Sequence, residues 1–260
     1  HKFKSNILFK LVSLTATMKK TIKPDQNNPE AKKKQITQMF DGISKSYDLL
    51  NRIITLGVDI LWRKRVVNIV KKEAHDKILD IATGTGDLVI ALAKIETTEI
   101  IGLDISPGML EIGKKKVITN KLTHRIDMQL GDSEMLRYSD EYFDAVTVAF
   151  GVRNFENLDK GLLEILRVLK PNGTLIILET AVPKNNLLKS LYNLYTQNIM
   201  PFLGKLFSKD KSAYQYLSDS AASFPSGEVF NNILRKNGFI SVEDKPQTLG
   251  IASIYFAKKA

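Results

Sequence analysis

One stretch constrains the fold of this chain more than any other: Lys77-Ile78-Leu79-Asp80-Ile81-Ala82-Thr83-Gly84-Thr85-Gly86-Asp87. Its first half is apolar and β-branched between polar residues, the pattern of a buried parallel strand. Gly84 and Gly86 then break the strand, and Asp87-Leu88-Val89-Ile90-Ala91-Leu92-Ala93 resumes with helical character. Glycine has no Cβ, so a strand–glycine turn–helix unit lets the backbone come close to a nucleotide-like ligand. The next strand, Glu99-Ile100-Ile101-Gly102-Leu103-Asp104, ends in an acid eighteen residues after Gly86. An acid at that point of a βαβ unit is placed to take both hydroxyls of a ribose.

The glycine spacing separates two cofactor classes. A dinucleotide fingerprint needs G-x-G-x-x-G, with a third small residue beneath the pyrophosphate. Here Gly86 is followed by Asp87, Leu88 and Val89, so the third glycine is missing and an acid opens the helix. Asp87 would repel a pyrophosphate. Asp80-x-x-x-Gly84-x-Gly86 with Asp104 instead resembles the first two motifs of the S-adenosylmethionine (SAM) methyltransferases. SAM carries a sulfonium and an ammonium, and both tolerate nearby carboxylates.

Composition narrows the class further. At 260 residues the chain can build one large α/β domain or two small ones. No apolar run approaches the eighteen or more residues of a spanning helix. There are no cysteines, which removes disulfides, thiolate metal sites and any thiol nucleophile, including that of the base methylases that attack a pyrimidine through sulfur. The net charge of +10 suits nucleic acid or an anionic membrane surface, but on charge alone a lysine-rich solvated surface is the favoured reading.

Residues 1–34 read as an extension and basic lead-in outside the domain. Met18-Lys19-Lys20 has the look of a native start, and no small-x-small cleavage site follows the apolar Ile7–Leu14 segment. Lysine, asparagine and proline up to residue 34 predict disorder. The domain is expected to run from Gln35 to residue 260. It opens with cap helices carrying Tyr47 and the lone tryptophan, Trp62. Helical spacing follows over Pro107–Val117, Leu158–Leu169 and Pro225–Asn237. Strands are expected at Ile126–Leu130, Phe143–Phe150, Thr174–Glu179, Phe239–Asp244 and Ile251–Ala257. With the first two, these make a seven-stranded, mostly parallel sheet covered on both faces, an α/β Rossmann-like fold. Residues 183–224 depart from this rhythm as a helical insertion rich in leucine, aromatics and lysine. That insertion covers the cofactor side, lies on a membrane surface, or forms a plain core-facing helix pair.

Open α/β sheets bind ligands at the carboxyl ends of their strands. The rule gathers Gly84–Asp87, Asp104, Asp132–Ser133 and Gly151–Asn154 at one rim. It sends His75 and His124, which precede strands, to the other. Acid–base work then falls to Asp, Arg, Tyr or water. No His/Asp cluster has metal-ligand spacing, so no metal is expected.

These residues carry a specific resemblance. Tyr47-Asp48-x-x-Asn51, Leu79-Asp80-x-Ala82-x-Gly84-Thr85-Gly86-Asp87, Phe150-Gly151-x-Arg153-Asn154 and Arg167-Val168-Leu169-Lys170-Pro171-x-Gly173 occur in order, followed by Tyr214-x-Tyr216-Leu217-x-x-Ser220 and Phe224-Pro225. Together they are similar to the UbiE/MenG family of quinone-biosynthesis C-methyltransferases, over about Gln35 to the end. Phe-Gly-x-Arg-Asn is the discriminating segment. The resemblance implies the class I SAM-dependent methyltransferase fold, with SAM held at Gly84, Thr85, Gly86, Asp104, Asp132 and Ser133. In this reading Thr85 lies beside the methionine moiety, Asp104 holds the ribose, and Asp132 with Ser133 reads the adenine edge. Ala149 departs from members that have serine there.

The implied reaction is methylation of a ring carbon of a polyprenylated quinol, demethylmenaquinol to menaquinol. The benzoquinol intermediate of ubiquinone biosynthesis is the alternative substrate. Arg153, permanently cationic with a fixed donor fork, is the expected catalytic residue. Its alternative role is a loop brace, paired with Glu156. A polyprenyl tail gives the 187–216 segment a purpose as a channel. It also makes a cytoplasmic protein with peripheral contact to the inner face of the membrane the expected location. Nucleic acid is not an expected partner: amino-methylating RNA and DNA enzymes usually show Asn/Asp-Pro-Pro-aromatic after the fourth strand, where this chain has Phe150-Gly151-Val152-Arg153. A homo-oligomer stays open.

Overall fold

Side-chain alternation along the strands decides the layers. In β1 (Lys77–Ile81), Leu79 and Ile81 point to one face of the sheet and Ile78 to the other, and none is more than 1% exposed. The structure is a computed structural model that describes residues 22–72, 75–96, 99–195 and 211–260. Beside β1 lie β2 (Glu99–Asp104) and β4 (Phe143–Ala149), with β3 (Ile126–Leu130) outside β2, and β5 (Leu169–Thr180) outside β4. These five strands are parallel. The remaining two, β6 (Ile240–Gln247) and β7 (Ala252–Lys258), complete the order β3-β2-β1-β4-β5-β7-β6, and β7 runs antiparallel to both of its neighbours. The sheet is therefore mixed, with a single strand reversed.

One face of the sheet is covered by α5 (Leu158–Val168) and α8 (Glu228–Lys236), which bury Leu162, Ile165, Phe230 and Leu234 against Leu79, Val146 and Ile177. The other is covered by α2 (Val58–Val70), α3 (Asp87–Leu92) and α4 (Pro107–Thr119), which contribute Trp62, Val66, Leu88, Val89 and Leu110. Each fully buried Leu or Ile in these layers stabilises the fold by roughly 1.5–3 kcal/mol.

A third, smaller cluster lies above the carboxyl rim. There α1 (Lys32–Thr55) packs Ile36, Met39, Ile43 and Leu50 against Met109 of α4 and against Ala213, Tyr216 and Leu217 of α7 (Lys211–Ser223). Left-handed Leu56 and Gly57 end α1 and turn the chain into α2. The short helix α6 (Asn186–Leu194) precedes α7 in the chain.

Several boundaries differ from the sequence reading, among them a strand, β6, that runs to Gln247 rather than Asp244. The domain begins before Gln35: α1 starts at Lys32, whose side chain is buried, and Ile22 packs on the rim cluster. The lead-in is tied to α1 by the Gln35 side chain, which accepts from the Asp25 amide (2.9 Å) and donates to the Glu30 carbonyl (2.9 Å). The expectations for residues 1–21 and for 196–210 of the insertion lie outside the described residues. Leu169 belongs to β5 rather than to α5, and the Pro171-Asn172-Gly173 turn is a bulge within β5 that shifts its register on β4, with Asn172 left-handed. Finally, α8 starts three residues late, behind left-handed Gly227.

Candidate active site

The strand ends bring together a cleft lined by Gly84, Asp104, Asp132 and Ser133, closed from above by Lys33, Phe40 and Tyr47 of α1. Gly84 is left-handed at φ +57°, and a Cβ there would project into open space. The backbone is therefore bare where it faces the cleft. The Asp104 carboxylate accepts from the Gly84 amide (2.7 Å) and the Ser106 amide (2.8 Å), so one acid anchors both turns. Burial pushes its pKa up to about 6, against the pull of those two amides.

Ser106 caps α4, accepting from the Met109 amide (3.1 Å) and donating to Asp41 of α1 (2.5 Å). Asp41 also accepts from the Gly108 amide (2.8 Å), placing a carboxylate on the positive end of α4. Within β1, Asp80 accepts from Thr147 across the strand pair (2.6 Å), and burial pushes it up to about 7.

The six predicted cofactor residues do not all face the cleft. Gly84, Asp104, Asp132 and Ser133 line it; Thr85 and Gly86 do not. The Thr85 hydroxyl is turned towards α1 and α4, donating to Asp48 (2.5 Å) and accepting from Lys116 (3.1 Å). Asp132 is met by Lys33 (2.7 Å), which also reaches Glu134 (3.3 Å). Ala149 lines the cleft as well, so a backbone contact there needs no serine hydroxyl.

The loop after β4 forms the wall between this cleft and a second, larger compartment. A Cβ on Gly151 would lie 2.5 Å from Ala82 Cβ, so only glycine lets this loop rest on the turn after β1. Ala82 and Phe150, at the ends of the two adjacent strands, are both left-handed non-glycine residues (φ +53° and +58°). Such strain persists only where the surroundings impose it. Lys32 holds the loop from the other side, donating to the carbonyls of Arg153 (3.0 Å) and Phe155 (2.9 Å). Burial lowers this lysine to about 8, with Glu134 and Glu156 opposing. Tyr216 of α7 donates to Asn154 of the same loop (3.0 Å).

Arg153 is not in the first cleft. It lines the second compartment, of about 410 Å³, together with Asn51, Trp62, Tyr192 and Leu217, while Tyr47 and Phe150 line both. Its partner is Glu179 at the end of β5 (2.5 Å), not Glu156, and it also donates to the Phe150 carbonyl (3.0 Å). Glu179 is fully buried and the Arg153 side chain is 8% exposed, so the pair is shielded from solvent. Sequence reasoning passes over Glu179, Lys32, Asp41, Asp59 and Arg63. The i,i+4 spacing of the last two is the one local signal available for them.

A glycine turn after the first strand, an acid ending the second, and the order β3-β2-β1-β4-β5-β7-β6 define a class I SAM-dependent methyltransferase fold. Solved structures agree. A SAM-dependent methyltransferase of Thermotoga maritima, a possible histamine N-methyltransferase, superposes with a TM-score of 0.61 at 19% identity, covering 86% of this chain and 100% of that one. A methyltransferase from Methanococcus maripaludis gives 0.57 at 24% identity, covering 91% and 97%.

Sequence relatives are more specific. Demethylmenaquinone methyltransferase of Bacteroides fragilis is 44% identical, covering 92% of this chain and 97% of that protein. The ubiquinone/menaquinone biosynthesis C-methyltransferase UbiE of Geobacter sulfurreducens is 40% identical, covering 88% and 90%. The model of the ubiE/COQ5 methyltransferase family matches residues 28–259. The chain belongs to the ubiE/COQ5 methyltransferase family.

Asp104 offers a direct test of the first cleft. Asp104→Ala is expected to weaken SAM binding roughly 10- to 150-fold, the loss of a charge-assisted hydrogen bond. In the unaltered protein, a carboxyl with a pKa of about 6 becomes a full acceptor only above that pH. SAM affinity should then be roughly tenfold weaker at pH 5 than at pH 8. Stability should move the opposite way: between the ordinary value and about 6 the folded state holds a proton that the unfolded chain has released, so this group's contribution falls as pH rises. Calorimetry at the two pH values checks both. Unchanged SAM affinity in a folded Asp104→Ala protein contradicts the assignment.

Proposed function

We propose that this protein methylates a ring carbon of a polyprenylated quinol, converting demethylmenaquinol to menaquinol with SAM as donor. The observation that carries the reading is the meeting of two compartments at Tyr47 and Phe150. One is acid-lined, with a bare glycine backbone. The other is apolar, with a buried guanidinium in its wall. Bound in the first, SAM would supply an electrophilic methyl on its sulfonium, and its adenine edge would meet Asp132 and Ser133. Gly84 and Asp104 would hold its nucleoside end.

The second compartment has the chemistry of a phenolic ring site. Trp62 and Phe150 lie 6.1 Å apart, centroid to centroid, and with Tyr47 they exclude water from a flat apolar ligand. Arg153 Nε and Glu179 Oε2 are buried without hydrogen-bond partners among the described residues. Arg153 is the member of the pair that lines the compartment, with Glu179 buried behind it. A quinol oxygen that releases its proton makes the adjacent ring carbon nucleophilic. Arg153 would stabilise the negative charge left on that oxygen.

The mouth of the compartment fits a tail. Leu56 (81% exposed) and Leu249 (72%) line it, with exposed Leu187 beside the lining residue Leu188, and Lys64, Lys184 and Lys189 are exposed on the same stretches of chain. Among the described residues no helix is long and apolar enough to cross a membrane. Our reading is that this rim rests on an anionic leaflet and that the prenyl chain passes directly into the compartment. Each Lys or Arg near such a surface is worth about 1 kcal/mol, so a handful is enough for reversible binding.

Incubation with labelled SAM and reduced naphthoquinols and benzoquinols, followed by product mass, tests the reaction. A naphthoquinol gaining one labelled ring methyl is expected, and preference for the benzoquinol would move the assignment to the ubiquinone intermediate. In that assay Arg153→Lys should lower kcat by about a hundredfold, with SAM affinity intact, because one preorganised donor to a developing oxyanion is worth on the order of 3 kcal/mol. Arg153→Met should also unfold more easily, by about 3–5 kcal/mol, since Glu179 is left buried and unpaired. Adding Glu179→Leu should restore stability without activity. Normal quinol turnover in Arg153→Lys contradicts the catalytic role.

The membrane reading has its own check. Sedimentation with anionic vesicles should carry the protein down at low salt and release it at high salt, with neutral vesicles binding less. Equal binding to both, or none to either, contradicts the electrostatic part.

A further inference from the structure

A second guanidinium lines the ring compartment, and the mechanism above leaves it without a task. Arg63 of α2 lies with its guanidinium carbon 5.7 Å from the centroid of the Phe150 ring, while Arg153 donates to the carbonyl of that same residue. Both line one cavity, and Phe150 stands between them. Each has its own carboxylate on a different element: Glu179 on β5 for Arg153, and Asp59 on α2 for Arg63. Asp59 is 1% exposed and also accepts from Arg52 and from the Thr55 hydroxyl (2.8 Å).

The bond to Asp59 occupies one terminal nitrogen of Arg63, and the other makes none among the described residues. The rest of the charge chain runs away from the compartment. Arg52 meets Asp87 (3.0 Å), Asp87 meets Lys116 (2.8 Å), and Lys116 meets Asp48 (2.5 Å). Signs alternate along that chain, and it ends at the ring compartment in the cation of Arg63. A cation held this way is oriented before any ligand arrives, which is what recognition by a planar donor fork requires.

Resting on the quinol reading, we propose that Arg63 is the specificity-determining residue for the second ring oxygen, so that the compartment selects 1,4-diols over mono-phenols. A 1,4-dihydroxy ring has oxygens at opposite corners. With one of them on Arg153, the other points across the ring. Arg63 lies over the face of Phe150 by cation–π attraction and lines the same cavity, where its terminal nitrogen not bonded to Asp59 is within the reach of a ring ligand's second oxygen in our reading. A ring with a single hydroxyl leaves that desolvated donor unmatched, and an unmatched buried donor discriminates more sharply than a lost apolar contact does. Asp59 is a positioning residue in this arrangement, because it acts only through Arg63.

The protein carries its own reporter. Trp62 is the chain's single tryptophan and lines the compartment, so its fluorescence reads ring binding without turnover. Titrations of anaerobic 1,4-dihydroxynaphthalene and of 1-naphthol, with S-adenosylhomocysteine present, give the diol-over-mono-ol ratio. We expect the intact protein to prefer the diol by roughly 10- to 150-fold, and Arg63→Met to bind both at the mono-ol level. If Arg63→Met does not fold, Arg63→Gln keeps most of the stem and must show the same collapse of the ratio. A merely structural arginine would weaken both ligands together and keep the ratio, which overturns the inference. A ratio near one in the intact protein overturns it as well, while leaving quinol methylation to be judged by labelled product. Binding of neither ring counts against the ring compartment itself, and the inference falls with it.

Discussion

A guanidinium only 8% exposed has to be neutralised where it stands, and Arg153 with Glu179 is that case. Removing either partner leaves an uncompensated buried charge, whereas replacing both with apolar residues is often neutral or stabilising. Stability alone therefore gives no reason to keep the pair. Its position does: Arg153 follows the end of β4, Glu179 sits at the end of β5, and their bond ties the rims of adjacent strands in the wall of the ring compartment. Much of the surrounding architecture serves to hold that cation in place. Gly151 lets its loop lie against the β1 turn, Lys32 grips two carbonyls of the loop, and Tyr216 takes Asn154.

The long first helix, α1, is the second element of the design. It lies across the carboxyl rim and gives one or more side chains to each part of the site. Lys33 reaches Asp132, Asp41 holds the start of α4, Asp48 takes Thr85, and Arg52 joins Asp87 to Asp59. Tyr47 lines both compartments. With Asp87 and Asp59 as shared partners of Arg52, this helix joins the cofactor turn to the ring compartment by direct contacts.

What can be read from the sequence follows from how local each signal is. The strand-end rule needs only strand boundaries, so the sequence alone places Gly84, Asp104, Asp132 and Ser133 together, and they line one cleft. Thr85 shares their motif, but its hydroxyl answers to Asp48, thirty-seven residues earlier on another element, and it turns away. For Arg153, sequence distance suggests Glu156 as the partner. The true partner lies on the adjacent strand, where register rather than sequence distance decides proximity. Lys32 is hidden for a different reason: in a lysine-rich lead-in one lysine looks like another, and only tertiary packing buries it. The reversed strand β7 is unreadable because alternation carries no direction.

Catalysis as proposed requires the cofactor cleft and the ring compartment to meet at Phe150, with Arg153 on the ring oxygen. A crystal structure with S-adenosylhomocysteine and a reduced naphthoquinol analogue measures this most directly. The thioether sulfur should face Phe150 from the cleft of Gly84 and Asp104. The ring should lie beside Trp62, with one hydroxyl within hydrogen-bond distance of Arg153. A ring bound outside this compartment, or one inside it whose oxygens leave Arg153 bonded to Glu179 alone, would contradict the proposal.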